Sequence, residues 1–495
     1  MSRRLAVALG AVVVVLALVA PPTVAGARAG GGSLSWRRCG GRFQCATLSV
    51  PVDWSQPGGE QVALAISRHP ASDPQHRLGA LVVNFGGPGD PGAQTLRMGG
   101  LDGLPASIRG RFDIVSFDPR GTGPSRPIAC VDDATYDAFL AQDPTPDTPP
   151  QFESFYAGTN GPVDLVAACV ARQGQWLGQV GTRNTARDLE ALRQALGTPR
   201  LAFLGYSYGT VLGAVYAQQY PSRVGAMVLD GAFDLSDTAA AELHANAVGF
   251  EQALDAFLTD CAAHARCAYH HGGDPRAALA TLQQRVESGY RVPVGDGRQA
   301  GATIFYLALA AALYDRANWP YLAQALNDAE HGHGDLLARF ADTITGRRPD
   351  GHYDHLQEAL NAIRCDDRHD ALVSFDDYRA AYAQYSQQFP IFGAFLAASP
   401  IGCDARLPVP RPSEQLGDVR ATGTAPILIV GTTGDPATPS AGAVDLQRRL
   451  AGSRILTFVS TEHSGYGKGV ACIDAAVDAF LLRRTLPSVG TRCRP

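Results

Sequence analysis

Short apolar runs alternate with amphipathic stretches through the first half of the chain. Val62-Ala63-Leu64-Ala65-Ile66 has the period of two that a strand shows on one buried face. Leu81-Val82-Val83-Asn84, Phe112-Asp113-Ile114-Val115-Ser116-Phe117, Leu201-Ala202-Phe203-Leu204 and Val224 to Leu229 read as buried strands. Asn184 to Leu196 has apolar residues at Ala186, Leu189, Leu192 and Leu196, with Asp188 and Glu190 early and Gly197 behind. That spacing predicts a helix with a glycine stop. The character changes near Leu235. Helical spacing then covers Ala239 to Cys261, Pro275 to Val286, Ile304 to Leu313, Tyr321 to Asn327 and Ser374 to Tyr385. Strand patterns return at Pro426 to Gly431 and Arg454 to Val459, and a helix follows over Ile473 to Arg484. An α/β fold results, with a mostly parallel sheet flanked by helices and split by an inserted helical lid.

The N-terminus adds a targeting segment. Arg3 and Arg4 precede an apolar stretch from Leu5 to Ala20, then Pro21-Pro22 and the small residues Ala25-Gly26-Ala27. This is the layout of a secretory signal peptide, expected over residues 1–27. The core then spans 28–235, the lid 236–410, and the rest of the core 411–495. No later stretch is long and apolar enough to cross a bilayer, so a secreted protein without a stable membrane partner is expected. Net charge is −5 with no basic run, which leaves a nucleic-acid partner without an electrostatic footprint. Ten cysteines fit export. They fall in local pairs, Cys39/Cys45, Cys130/Cys169, Cys261/Cys267, Cys365/Cys403 and Cys472/Cys493, although spacing alone leaves connectivity open.

The chemistry centres on Gly205-Tyr206-Ser207-Tyr208-Gly209, placed between the strand pattern at Leu201 and the small-residue helix pattern from Thr210 to Ala217. Strand, G-x-S-x-G, helix is the nucleophile elbow of an α/β-hydrolase. A serine hydroxyl needs a base, and the base needs an orienting acid. In this fold both follow the serine in the chain, on loops after late strands. Asp435 follows the strand pattern ending at Val430, and His463 follows the one ending at Val459. Ser207, His463 and Asp435 are therefore the expected nucleophile, base and acid, with Asp230 as the other acid considered. The oxyanion donors are expected at the backbone N–H of Tyr208 and in the Gly86-Gly87-Pro88-Gly89 loop, at Gly87. His331, His333, His352 and His355 lack a metal motif and read as loop residues; no metal or other cofactor is expected. Asp118 and Arg120 read as residues that pin a turn locally.

Taken together, Asn84-Phe85-Gly86-Gly87-Pro88-Gly89, Asp118-Pro119-Arg120-Gly121-Thr122-Gly123, Val228-Leu229-Asp230-Gly231 and Asp435-Pro436-Ala437-Thr438-Pro439, with the elbow and His463, carry a resemblance. The chain resembles the secreted actinobacterial tripeptidyl aminopeptidases, within the prolyl-aminopeptidase-like branch of the α/β-hydrolases. The likeness runs from about Cys39 to Cys493. It implies a serine exopeptidase that releases short peptides, tripeptides by kinship, from free N-termini. One departure is Asp90-Pro91-Gly92, where the family continues with a Gly-Ser-Gly-like stretch. Related sequences act as carboxylesterases, so an acyl hydrolase acting on a small ester is the alternative. An aminopeptidase must also hold a substrate ammonium, which favours lid carboxylates. Glu242, Glu251, Asp255, Asp366 and Asp367 are available, with Asp366 and Asp367 the first candidates. The sequence leaves the oligomeric state open.

Overall fold

The computed structural model describes residues 34–146, 148–156, 163–235, 239–368, 375–397, 407–408 and 414–495. The expected signal segment and Cys403 lie outside the described residues. Within them the strands are β1 (Arg37–Arg38), β2 (Gln44–Pro51), β3 (Gln61–His69), β4 (Gly79–Asn84), β5 (Phe112–Phe117), β6 (Leu201–Tyr206), β7 (Val224–Asp230), β8 (Val292–Pro293), β9 (Gln299–Ala300), β10 (Ile427–Thr432), β11 (Arg454–Phe458) and β12 (Arg492–Cys493). All but β8 and β9 join one sheet in the order β1-β2-β3-β5-β4-β6-β7-β10-β11-β12. The strands β1, β2, β3 and β5 pair antiparallel, and every later neighbour is parallel.

The apolar runs behave as strands buried on both faces. Val82, Phe203, Leu229 and Ile429 enter one core, with Leu189, Leu192 and Leu212. Leu81, Leu204, Val228 and Leu428 enter the opposite core, with Ile108, Ile473 and Phe480. Successive strand side chains point to opposite faces, so helices must cover both. Thr182–Ala195 and Gly209–Gln219 cover the first; Ala106–Arg111 and Ala471–Arg483 cover the second. Each large aliphatic side chain so buried contributes about 1.5–3 kcal/mol.

Arg120 corrects the local reading of its turn. Its guanidinium is fully buried and meets both oxygens of Asp188 at 2.7 Å. It also donates to the carbonyls of Pro51, Val52 and Gln179. The residue therefore joins the end of β2, the turn after β5 and the helix Thr182–Ala195. Between β7 and β10 the described chain is mostly helical and has a core of its own, with Leu254, Phe257, Leu309, Leu322 and Leu326. Its helices are Ala239–Ala263, Pro275–Glu287, Ala302–Leu313, Trp319–Glu330, Asp335–Thr345, Leu356–Asp367, Phe375–Gln388 and Gly393–Ala397. Asp335–Thr345 and Leu356–Asp367 had no counterpart in the pattern reading. Four of the local cysteine pairs are disulfides: Cys39–Cys45, Cys130–Cys169, Cys261–Cys267 and Cys472–Cys493.

Candidate active site

The register of the parallel strands gathers the candidate residues at one edge. Asn84 lies beside Gly205, Tyr206 beside Asp230, Val430 beside Asp230, and Thr432 beside Phe458. The loops after β4, β6, β7, β10 and β11 therefore leave the sheet together, at the carboxyl ends where open α/β sheets bind ligands. Ser207 sits in the tight turn between β6 and the helix Gly209–Gln219, with φ at +52°. A non-glycine residue there stores strain of about 1–3 kcal/mol, held by its surroundings. The Ser207 N–H donates to the Asp230 carbonyl at 2.8 Å. A Cβ on Gly205 would stand 2.3 Å from the Gly209 carbonyl oxygen, and one on Gly209 would stand 2.8 Å from Asn84 Oδ1. Only glycine lets strand and helix close this tightly.

Asp435 and His463 form a direct pair. His463 Nδ1 lies 2.8 Å from Asp435 Oδ1 and 3.0 Å from Oδ2. An ionised carboxylate only accepts, so the imidazole donates to it through its Nδ1–H. Asp435 is almost fully buried and is held by the N–H groups of Ala437, Thr438 and Ser464 and by the Thr438 hydroxyl. The imidazole rests edge-on against Tyr314 of the lid at 4.9 Å, and the His463 N–H donates to the Tyr314 carbonyl. Asp230, the other acid considered, does different work. Its carboxylate accepts the N–H groups of Gly465 and Tyr466 and so anchors the loop behind His463. Burial pushes its pKa up to about 6. A Cβ on Gly231 would stand 3.2 Å from the imidazole, which places the His463 ring beside the residue that follows Asp230.

The glycine loop lies over the nucleophile. A Cβ on Gly86 would be 3.0 Å from Ser207 Cβ and 3.6 Å from its Oγ. Gly86, Gly87 and Gly89 all have positive φ, and the Gly87–Pro88 peptide is cis. Asp118 Oδ1 accepts the N–H groups of Ala93 and Gln94 just behind this loop, a non-local contact that replaces the expected local turn. Asp90 accepts the Thr95 hydroxyl at 2.6 Å. Burial raises the pKa of Asp118 to about 6 and that of Asp90 to about 7.

Gly87, Pro88, Ser207 and Tyr208 form one end of a cavity of about 330 Å³ whose far wall is the lid. One helix, Leu356–Asp367, supplies Gln357, Leu360, Asn361, Arg364 and Asp367 to that wall. Spacings of three and four residues bring most of these onto one helical face. Glu242, near the start of Ala239–Ala263, also lines the cavity, and its two oxygens meet Arg364 at 2.7 Å and Arg368 at 3.3 Å. Asp366 and Asp367 are engaged elsewhere. Asp366 accepts the Gly181 N–H at 2.7 Å. Asp367 accepts both the N–H and the hydroxyl of Thr182 at 2.6 Å. Together they cap the helix Thr182–Ala195, and burial lifts their pKa values to about 7 and about 6. Glu251 accepts the Phe392 N–H, and Asp255 pairs with Arg276. His352 bonds Asp133, His355 bonds Glu358 and His331 bonds the Asn327 carbonyl, so these histidines are spread over separate contacts.

Fold and site together define a hydrolase with a serine elbow under a lid. A family model described as the alpha/beta hydrolase fold matches residues 80–333, and one described as TAP-like protein matches residues 388–493. The chain is 37% identical over 470 residues to Serine protease Hip1 of Mycobacterium tuberculosis, covering 91% of this chain and 87% of that protein. It is 36% identical over 466 residues to Carboxylesterase B of the same organism, covering 91% and 86%. It is 30% identical over 492 residues to Tripeptidyl aminopeptidase of Streptomyces lividans, covering 95% and 88%. The chain belongs to the α/β-hydrolase family, in its branch of tripeptidyl-aminopeptidase-like serine hydrolases.

Proposed function

We propose that the protein is an exported serine exopeptidase that removes short peptides, tripeptides by kinship, from free N-termini. The observation that carries this reading is the Asp435–His463 pair at the strand edge that bears Ser207, with Ser207 itself lining a lidded cavity that has a carboxylate on its wall. His463 Nε2 takes the proton of Ser207 Oγ as it attacks the scissile carbonyl, and Asp435 stabilises the imidazolium. The N–H groups of Gly87 and Tyr208 receive the oxyanion. The departing amine then takes the proton from His463, and water repeats the sequence to free the acyl enzyme. Apart from that water, these steps use protein groups.

Glu242, rather than Asp366 or Asp367, is the carboxylate proposed to hold the substrate ammonium. Two arginine contacts hold it in place, and a carboxylate has about four acceptor sites, so capacity remains. A cavity of this size suits a short peptide segment rather than a folded chain. The N-terminal apolar segment and the disulfides among the described residues support export to an oxidising compartment. The second reading is a carboxylesterase, favoured by the Carboxylesterase B relative and by a triad that attacks esters equally well. Hydrolysis of a chromogenic tripeptide anilide, with its N-terminus free and then acetylated, separates the two. Cleavage of the free form alone, lost in Ser207→Ala, is expected. Cleavage of a simple acyl ester but neither anilide would assign the esterase.

A further inference from the structure

The helix Leu356–Asp367 meets more of the site than the cavity wall. Near its start, Gly89 of the glycine loop packs so closely that a Cβ there would stand 2.5 Å from the Leu356 carbonyl oxygen and 3.0 Å from the Leu360 nitrogen. In its first turn Glu358 is buried and accepts the N–H groups of Cys130 and Val131, which fixes the helix to the core. At its end Asp367 accepts the Thr182 hydroxyl, and that hydroxyl also meets the buried hydroxyl of Tyr208. The Thr182 hydroxyl has one proton, and Asp367 takes it. The Tyr208 hydroxyl therefore donates to Thr182, and the chain runs Tyr208 to Thr182 to Asp367.

Tyr208 is the residue after the nucleophile. Its ring is buried in the core, and its residue lines the cavity beside Ser207. Its side chain leaves the same short turn whose N–H faces the reacting carbonyl in the proposed mechanism. We propose that Asp367 and Thr182 are positioning residues: through the Tyr208 hydroxyl they fix the peptide that presents the Tyr208 N–H to the oxyanion. The lid helix thereby touches both halves of the oxyanion hole, the glycine loop through Leu356 and Leu360, and Tyr208 through Asp367. Misalignment of a preorganised donor weakens transition-state binding more than ground-state binding. The signature is accordingly a loss in kcat with KM nearly unchanged.

This inference rests on the reading of Tyr208 as an oxyanion donor, and its test reads that donor without the peptidase assignment. Tyr208→Phe, Thr182→Val, Thr182→Ser, Asp367→Asn and the double variant Tyr208→Phe/Thr182→Val are assayed on a simple acyl ester and on the free and acetylated anilides, with Tm recorded. Tyr208→Phe and Thr182→Val are expected to lower kcat on the ester by roughly 5–50-fold, less than the roughly 10²–10³-fold lost when a donor is removed outright, because the N–H is misaligned and not deleted. KM should stay within about twofold. Thr182→Ser, which keeps the hydroxyl, should restore most of kcat. The double variant should be little worse than the poorer single, because both remove the same chain. Lower Tm with unchanged kcat in Tyr208→Phe and Thr182→Val would overturn the proposal and leave a structural cap. So would a raised KM on the free anilide in Asp367→Asn with kcat unchanged, because it would make Asp367 the ammonium ligand. Loss of anilide cleavage in the parent protein would count against the peptidase reading alone, since the ester still reports the donor. If Asp367→Asn fails to fold, Tyr208→Phe, which deletes one oxygen, decides the matter.

Discussion

The cavity has two walls built by different means. The wall with Ser207 is largely backbone: a positive-φ serine, glycines that admit no Cβ, and N–H groups aimed by strand register. The facing wall is largely side chain: Glu242 between two arginines, with Gln357, Asn361 and Asp367. Backbone geometry is set by a few residues and suits one reaction. Side-chain surfaces can change one at a time, and they set what is bound. The chain is similarly identical to a serine protease and to a carboxylesterase, so identity alone does not choose between the two chemistries.

Changes on the two walls should separate in kinetics. The largest effect is expected at the reacting edge. Ser207→Ala or His463→Ala should lower kcat by roughly 10³–10⁶-fold with Tm little changed, read by steady-state kinetics and calorimetry. A loss of stability that leaves the chemistry untouched is expected at Arg120. Arg120→Ala leaves Asp188 buried without its partner, and should cost about 3–5 kcal/mol in a denaturant titration. The lid should show a smaller, selective effect. Glu242→Gln should raise KM for free-amine peptides by roughly 10–100-fold, in line with a lost charge-assisted contact, while acyl-ester hydrolysis stays near that of the parent. An equal loss on both substrates would erase the proposed division.

The smallest effect concerns pH. Asp230, Asp366 and Asp367 have folded pKa values raised to about 6–7 by burial, against about 3.9 in an unfolded chain. Between those limits the folded protein holds protons that the unfolded chain has released. Their contribution therefore makes stability rise as pH falls from about 7 towards 4. Asp366→Asn keeps an acceptor for the Gly181 N–H and removes the titration. It should raise Tm at pH 8 and flatten the pH dependence of Tm.

The placing of Ser207, Asp435 and His463 at one strand edge was readable because its signals are local. Strand runs buried on both faces, the glycines around Ser207 and the loop positions of Asp435 and His463 each appear in a few consecutive residues. The lid helix Leu356–Asp367 escaped because its buried face mixes polar with apolar residues. Ala359, Ala362 and Ile363 form a thin stripe, while Glu358, Asp366 and Asp367 are buried for their hydrogen bonds. The strand Gln44–Pro51 had no counterpart among the strand patterns, although Ala46 and Val50 alternate inward. Arg120 read as a turn residue because its partners at Asp188 and Gln179 are distant in sequence. Glu242 was one of several lid carboxylates named, and only its place on the cavity wall distinguishes it from Glu251 and Asp255.

The most direct test of the central claim is product analysis. A defined unstructured peptide, with its N-terminus free and in parallel acetylated, is incubated with the protein, and the fragments are followed by mass spectrometry. The account predicts short fragments released in succession from the free N-terminus, no cleavage of the acetylated peptide, and no products with Ser207→Ala. Internal cleavage, or equal processing of the acetylated peptide, would contradict it.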